Sequence, residues 1–270
     1  MDAVPPLRVA FCPHPPVIVP ELAGGAAAEL DELRYAATDA VRSLVDCSAE
    51  RIVVIGTDDP STDPDPTERV WRPPLSASFR PWGAAVDVPL GAPLDPASPA
   101  FGATSTGAGR LPLSLTVATW LLTRAGVDPA RTAVEMVAVP AGTPPGQCRR
   151  RGRLLAGSAA AGRRAADRPW AALVMGDGSA CRGPASPGYQ DDRAEPFDDE
   201  VAAALAAADH RTIARLDPAL TGSLRVAGRA AWQVAAGTVA AGDVIDWTGR
   251  LTYYAAPYGV AYFVASWDRN

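Results

Sequence analysis

The chain has 270 residues, of which 48% are hydrophobic, and a formal net charge of −5 with no lysine among its cations. This size fits one large α/β domain or two small ones, with a substantial core. The densest basic run, Arg149-Arg150-Arg151 with Arg153, is too short to indicate a nucleic-acid-binding surface. We expect neither a signal peptide nor a membrane-spanning helix, because the chain shows no signal-peptide pattern and no apolar stretch of roughly 20 residues. The four cysteines are scattered and form no CxxC pair, which argues against a zinc knuckle and a disulfide framework. A cytoplasmic location, where thiols stay reduced, is therefore expected.

Strand and helix patterns alternate in the first part of the chain. Short β-branched runs at residues 7–12 and 51–56 predict buried strands, and the alanine-rich segment 21–45 between them predicts an amphipathic helix. Such a strand–helix–strand unit implies parallel strands joined by a right-handed crossover. Residues 57–112 are rich in Asp, Pro, Gly and Ser, and predict loops and short strands in a long excursion over one face of the domain.

The alternation continues in the rest of the chain. Strands are predicted at residues 132–139 and 170–175, and a hairpin at 251–267. Helices are predicted at residues 113–124, 149–166, 195–207, 211–216 and 224–241. This order of elements predicts a single α/β domain over residues 1–270, with a central, mostly parallel mixed sheet flanked by helices.

His14 is the residue on which the functional interpretation depends. It follows the first predicted strand in the run Phe11-Cys12-Pro13-His14-Pro15-Pro16, and its flanking prolines restrict the backbone there. Two other predicted strands end in polar groups, at Gly56-Thr57-Asp58-Asp59 and at Gly176-Asp177-Gly178-Ser179. Because open parallel sheets bind ligands at the carboxyl ends of their strands, we expect these segments to form a small-molecule or divalent-metal pocket.

Each candidate residue also has a purely structural interpretation. For His14 a pocket role is favoured over a buried structural role, because it sits where a strand ends. Acidic residues such as Asp58 and Asp59 are common in turns, and Asp177 between two glycines fits a turn as well as a site. Ser179 is a weak candidate nucleophile, because its run is not GxSxG and only the two histidines of the chain offer a base.

Taken together, these motifs resemble a known family. Cys-Pro-His-Pro-Pro followed by Pro-Glu, Thr-Asp-Asp, Met-Gly-Asp-Gly-Ser-Ala, and a helix bearing Ala231-Trp232-Gln233 with Gly237 occur in this order. The order and spacing resemble the LigB-like superfamily of class III extradiol ring-cleavage dioxygenases, to which Memo-like proteins are related, over most of the chain. The resemblance implies one α/β domain with its site at the strand ends, a small aromatic ligand, and a common arrangement as a homodimer.

The resemblance also implies a ligand set. Members hold a ferrous ion with two histidines and a glutamate, and use a further histidine as acid and base; this leaves coordination positions for a catechol and for dioxygen. His14 matches the first histidine. The other three positions differ in this chain: Asp58 or Asp59 for the second histidine, Gly228 or Arg229 for the glutamate, and Ala180 for the acid–base histidine.

Three functional hypotheses follow. The first is a LigB-like protein that has lost the iron site, for which ring cleavage is not expected. It would keep a rim pocket around His14, Asp58, Asp177 and Ser179 that binds a small molecule or catalyses a different reaction, with His14, Asp177 and Ser179 as its candidate catalytic residues. The second is a metal-dependent oxidoreductase in which His14 and aspartates hold Fe(II) or another divalent ion. The third is a noncatalytic partner of an active subunit. Because the ligand set is incomplete, the sequence leaves both the cofactor and catalytic activity open.

Overall fold

The computed structural model describes residues 4–58, 69–91, 110–158, 169–241 and 246–270. Parallel and antiparallel strands build its sheets. In chain order the strands are β1 (Arg8–Cys12), β2 (Arg51–Asp58), β3 (Arg69–Trp71), β4 (Leu75–Ser78), β5 (Asp87–Leu90), β6 (Ala133–Pro140), β7 (Trp170–Met175), β8 (Trp247–Ala255) and β9 (Tyr262–Arg269). Seven of them form one sheet in the order β3-β6-β2-β7-β1-β9-β8, and β4 pairs with β5 in a separate ribbon.

The centre of the large sheet is parallel. β6, β2, β7 and β1 run in the same direction, whereas β3 at one edge and the β8–β9 hairpin at the other are antiparallel to their neighbours. The two central strands β2 and β7 are buried almost throughout, as expected where helices cover both faces of a parallel sheet. The predicted α/β class and mixed sheet are confirmed.

Helices pack on both faces of this sheet. In chain order the α-helices of the described residues are α1 (Pro20–Ala23), α2 (Asp31–Asp46), α3 (Leu113–Arg124), α4 (Pro145–Ser158), α5 (Ala194–Ala206), α6 (His210–Ala214), α7 (Pro218–Ser223) and α8 (Arg229–Val239). Alternate strand residues face opposite sides, so Ala10 packs in the cluster that contains α2 and α3, and Phe11 in the cluster that contains α5 and α8. No helix in the described ranges is long and apolar enough to cross a membrane.

Some element boundaries differ from the prediction. The helix expected over residues 21–45 is interrupted: α1 ends at Ala23, a 3₁₀ segment covers Gly24–Leu30, and α2 starts at Asp31. Gly24 has a φ of 55°, a conformation that glycine adopts without strain and that ends an α-helix. The helix expected over 224–241 starts only at Arg229, after the separate helix α7, which the Asp217 side chain caps. The predicted end of the 149–166 helix lies outside the described residues.

Candidate functional site

A cavity of about 690 Å³ lies at the carboxyl ends of the four parallel strands. This volume is typical of small-molecule sites, which span roughly 300–1,000 Å³. The lining combines polar residues after the strands with an apolar wall: His14, Thr57, Asp58, Arg69, Trp82, Arg110, Leu111, Pro112, Leu113, Ser114, Ala141, Asp177 and Ala227. The structure thus brings together His14 after β1, Asp58 at the end of β2 and Asp177 after β7.

His14 is held by its backbone and retains an unused ring nitrogen. Its N–H donates to Asp177 Oδ1 at 2.7 Å, while its ring Nδ1 lies 3.7 Å from the same oxygen, beyond hydrogen-bond distance. Nδ1 is shielded from solvent and has no hydrogen-bond partner among the described residues. Because Nδ1 is shielded, a ligand in the cavity would contact the remainder of the His14 ring, which lines the cavity.

Asp177 stands in a turn that the neighbouring glycines make possible. A Cβ at Gly176 would lie 2.5 Å from Gly228 Cα, and one at Gly178 would lie 2.6 Å from the Phe263 ring, so neither position tolerates a side chain. Burial raises the pKa of Asp177, an effect that the nearby His14 ring and N–H bond offset only in part. The carboxyl group is therefore both a backbone anchor and a wall of the cavity.

Asp58, a predicted metal ligand, is already engaged by a cation. Its carboxylate forms a partly buried ion pair with Arg69, which lies on the edge strand β3, and both residues line the cavity. The guanidinium offsets the charge that would otherwise attract a metal ion. Asp59, the other predicted aspartate ligand, lies outside the described residues.

Ser179 lies outside the cavity lining that the described residues form. It is fully buried, and its hydroxyl donates to Asp198 Oδ2 at 2.5 Å while its N–H donates to Oδ1 at 2.9 Å. Asp198, on α5, is fully buried as well, and burial raises its pKa. The Ser179–Asp198 contact ties the segment after β7 to α5, which is a structural role.

The described donor atoms do not fit a ferrous centre with two histidines and a carboxylate. In the described part of the chain, no three His, Cys, Asp or Glu side chains come close enough to hold a metal ion. At the position that the resemblance assigns to the glutamate, Arg229 is buried and donates to the carbonyls of Ala141 and Thr143 and to Gln233 Oε1. A guanidinium held by these hydrogen bonds has no free electron pair to bind a metal, and its positive charge repels a metal ion.

The basic and aromatic residues of the lining are not indicated by the sequence. Arg69, Trp82 and Arg110 all belong to the segment for which the sequence predicts only loops and short strands. The Arg110 guanidinium lies 5.6 Å from the centroid of the Trp82 ring, within the range of a cation–π contact. The sequence shows tryptophan and arginine in a Pro-rich stretch, which could have suggested a binding segment. It does not indicate which strand ends this segment approaches.

Comparison with known proteins supports the fold and nothing finer. No protein-family model matches the chain, and no curated protein matches it. Among solved structures it is similar to the crystal structure of uncharacterized protein JW3007 from Escherichia coli K12, with a TM-score of 0.53 and 13% sequence identity. The match covers 97% of this chain and 99% of that chain. At such low identity the likeness shows a shared fold alone.

Proposed function

We propose that this chain is a divergent LigB-like protein whose strand-end cavity binds a small molecule, with His14 as the main polar contact, and that it does not cleave rings with iron. One observation carries the proposal: a cavity of about 690 Å³ at the ends of four parallel strands is lined by the buried His14 imidazole and the buried Asp177 carboxyl group. Crevices at this place in open α/β sheets are the usual ligand sites.

The two kinds of lining residue indicate the ligand's general shape. Leu111, Pro112 and Leu113 form an apolar wall that suits a hydrocarbon body. In contrast to this apolar wall, the His14 ring is polar and can donate or accept one hydrogen bond according to its tautomer. A flat molecule with an apolar body and one polar group therefore suits the cavity, which agrees with the aromatic ligand that the resemblance implies.

The charges around the site argue against iron chemistry. Asp58 is neutralised by Arg69, and Arg229 brings a guanidinium to the position where the proposed relatives have a carboxylate ligand. Replacing an anionic donor with a cation lowers metal affinity twice, by removing a ligand and by adding repulsion.

Binding of 4-hydroxybenzoate, measured by isothermal titration calorimetry, tests the proposed site. We expect saturable one-site binding to the wild type and about tenfold weaker binding to His14→Phe, which keeps an aromatic ring but cannot form a hydrogen bond worth about 1.4 kcal/mol. The matched control is His210→Phe, since His210 lies on α6 and outside the cavity lining. Thermal melting of each variant verifies folding. Equal affinities of wild type and His14→Phe would refute the proposed site.

Anaerobic loading with Fe(II), followed by metal analysis and oxygen-uptake measurements with catechol, tests the second half of the proposal. We expect substoichiometric iron and no catechol-dependent oxygen uptake. Stoichiometric iron with oxygen uptake would overturn the proposal in favour of a metal-dependent oxidoreductase that uses His14 and aspartates. Copurification of a second, active chain would instead favour a noncatalytic partner subunit.

A further inference from the structure

We infer that the cavity selects ligands that carry an acidic group, and that Arg110, held against Trp82, is the residue that recognises it. This inference rests on the proposed small-molecule function and specifies the class of ligand. It depends on three features of the lining: a difference in exposure between its two ends, an arginine without a carboxylate partner in the described ranges, and an aromatic face beside that arginine.

The cavity has a buried polar end and an exposed basic end. His14 and Asp177 are only 6% and 9% exposed, and they stand where the strands finish. Arg110 is exposed and Trp82 half-buried, although both line the same cavity. A ligand that enters would therefore meet the Arg110 guanidinium near the opening and the His14 ring at depth.

The two lining arginines differ in their partners. Arg69 is paired with Asp58, so its charge is compensated inside the site. Within the described ranges no carboxylate forms an ion pair with Arg110, and its observed contact is the face of the Trp82 ring at 5.6 Å. A cation–π contact holds a guanidinium in place without neutralising it, and the planar group keeps its N–H donors for another partner.

This arrangement suits an anion on a flat molecule. The guanidinium fork matches the two oxygens of a carboxylate or phosphate, and the Trp82 ring and Leu111 offer apolar surface for the ligand body. At the other end, His14 can bind a hydroxyl group. The ligand class is thus a small planar acid with a hydrogen-bonding group opposite its acidic group.

A pair of nearly isosteric probes separates charge recognition from shape. We compare 4-hydroxybenzoate with neutral 4-hydroxybenzamide by calorimetry on the wild type, Arg110→Gln and Arg80→Gln. Arg80 stands in the same 3₁₀ turn as Trp82 (Arg80–Trp82) but pairs with Asp87 at the surface, outside the cavity lining, so it controls for the loss of a nearby charge. The probe (4-hydroxyphenyl)phosphonate distinguishes a preference for phosphate-like groups from one for carboxylates.

The expected result is a difference that depends on Arg110. The wild type should bind the acid about tenfold more tightly than the amide, as one charge-assisted contact implies. Arg110→Gln should abolish this preference and leave amide affinity within about twofold, whereas Arg80→Gln should retain it. Tighter binding of the phosphonate than of the benzoate would identify the acidic group as phosphate-like.

Several outcomes would overturn the inference. Equal wild-type affinity for acid and amide would refute acid selection and leave the proposed function intact, provided that His14→Phe still weakens both. An equal loss of both ligands in Arg110→Gln would show that Arg110 shapes the cavity and does not recognise charge. No binding of any probe to the wild type at about 10 mM would refute the inference and the proposed function together.

Discussion

Substituting Ser179 with alanine removes one of two hydrogen bonds that the described structure provides to the buried Asp198 carboxyl group. The remaining bond comes from the Ser179 backbone, so Asp198 keeps one partner on Oδ1 and loses its contact on Oδ2. Hydrogen bonds to charged groups contribute about 1.5–3 kcal/mol. For a chain of this size, each kcal/mol shifts the melting temperature by roughly 2–4 °C, which gives an expected decrease of about 3–12 °C.

Calorimetric melting measures this decrease in melting temperature, and titration with 4-hydroxybenzoate measures the affinity of the cavity for the probe. Because Ser179 lies outside the lining that the described residues form, Ser179→Ala should bind the probe within about twofold of the wild type. Ser223→Ala is the matched control: its exposed hydroxyl bonds only a carbonyl one helical turn away, so its stability should change by less than about 0.5 kcal/mol.

The opposite pattern would refute this reasoning. If Ser179→Ala melts like the wild type but loses probe binding, then Ser179 belongs to the site and the hydrogen bonds with Asp198 are incidental. A loss of stability equal to that of Ser223→Ala would show that the buried bond contributes little.

Two further changes test packing and charge. In α4, a Cβ at Gly152 would lie 2.1 Å from the carbonyl oxygen of Val234, whereas one at Gly157 would have no atom of the described residues within 4 Å. Gly152→Ala should therefore lower the free energy of unfolding by about 3 kcal/mol or more, and Gly157→Ala should raise it by roughly 0.5–1 kcal/mol. Urea denaturation measures both changes, and equal effects would contradict this close α4–α8 packing. Burial raises the pKa of Asp177 above 3.8, so the folded state favours the protonated carboxyl group. The resulting stabilisation of the folded state is complete below the pKa of Asp177 in the unfolded chain, and it is lost as pH rises through the pKa of Asp177 in the folded chain. Asp177→Asn, whose amide oxygen can still accept from His14 N–H, should gain stability relative to the wild type across that rise, and a pH-independent difference would count against this interpretation.

The sequence predicts the sheet well because its parallel strands are buried on both faces. A strand of this kind is a continuous apolar run, and the run at Trp170–Met175 is predicted with the observed boundaries. The position of His14 follows from the same logic, since the strand before it is evident and ligands gather at strand ends. The convergence of these strand ends at one edge of the sheet can therefore be predicted without knowing how the side chains pack.

Contacts between distant segments cannot be predicted in this way. The Arg69–Asp58 ion pair joins an edge strand to the central sheet. The two residues meet because β2 and β3 both pair with β6, in registers that place Asp58 and Arg69 near the same end of it. Ser179 resembles a site residue because it follows a strand, yet its partner Asp198 lies on a helix whose docking the sequence does not specify. Composition indicates that acidic and basic groups are present, but pairing depends on tertiary geometry.

Arg229 shows how the proposed loss of iron and the shape of the cavity are connected. Its guanidinium donates to the carbonyl groups of Ala141 and Thr143, in the loop between β6 and α4, and Ala141 itself lines the cavity. An arginine here therefore fixes one border of the cavity through the backbone, where the proposed relatives would use a carboxylate on a metal. A glutamate at this position would leave those carbonyls unpaired and bury a negative charge beside them, so the arginine and the loop conformation have to change together. Substituting glutamate for this one residue is therefore not expected to create a metal centre, because the cavity border depends on the cation.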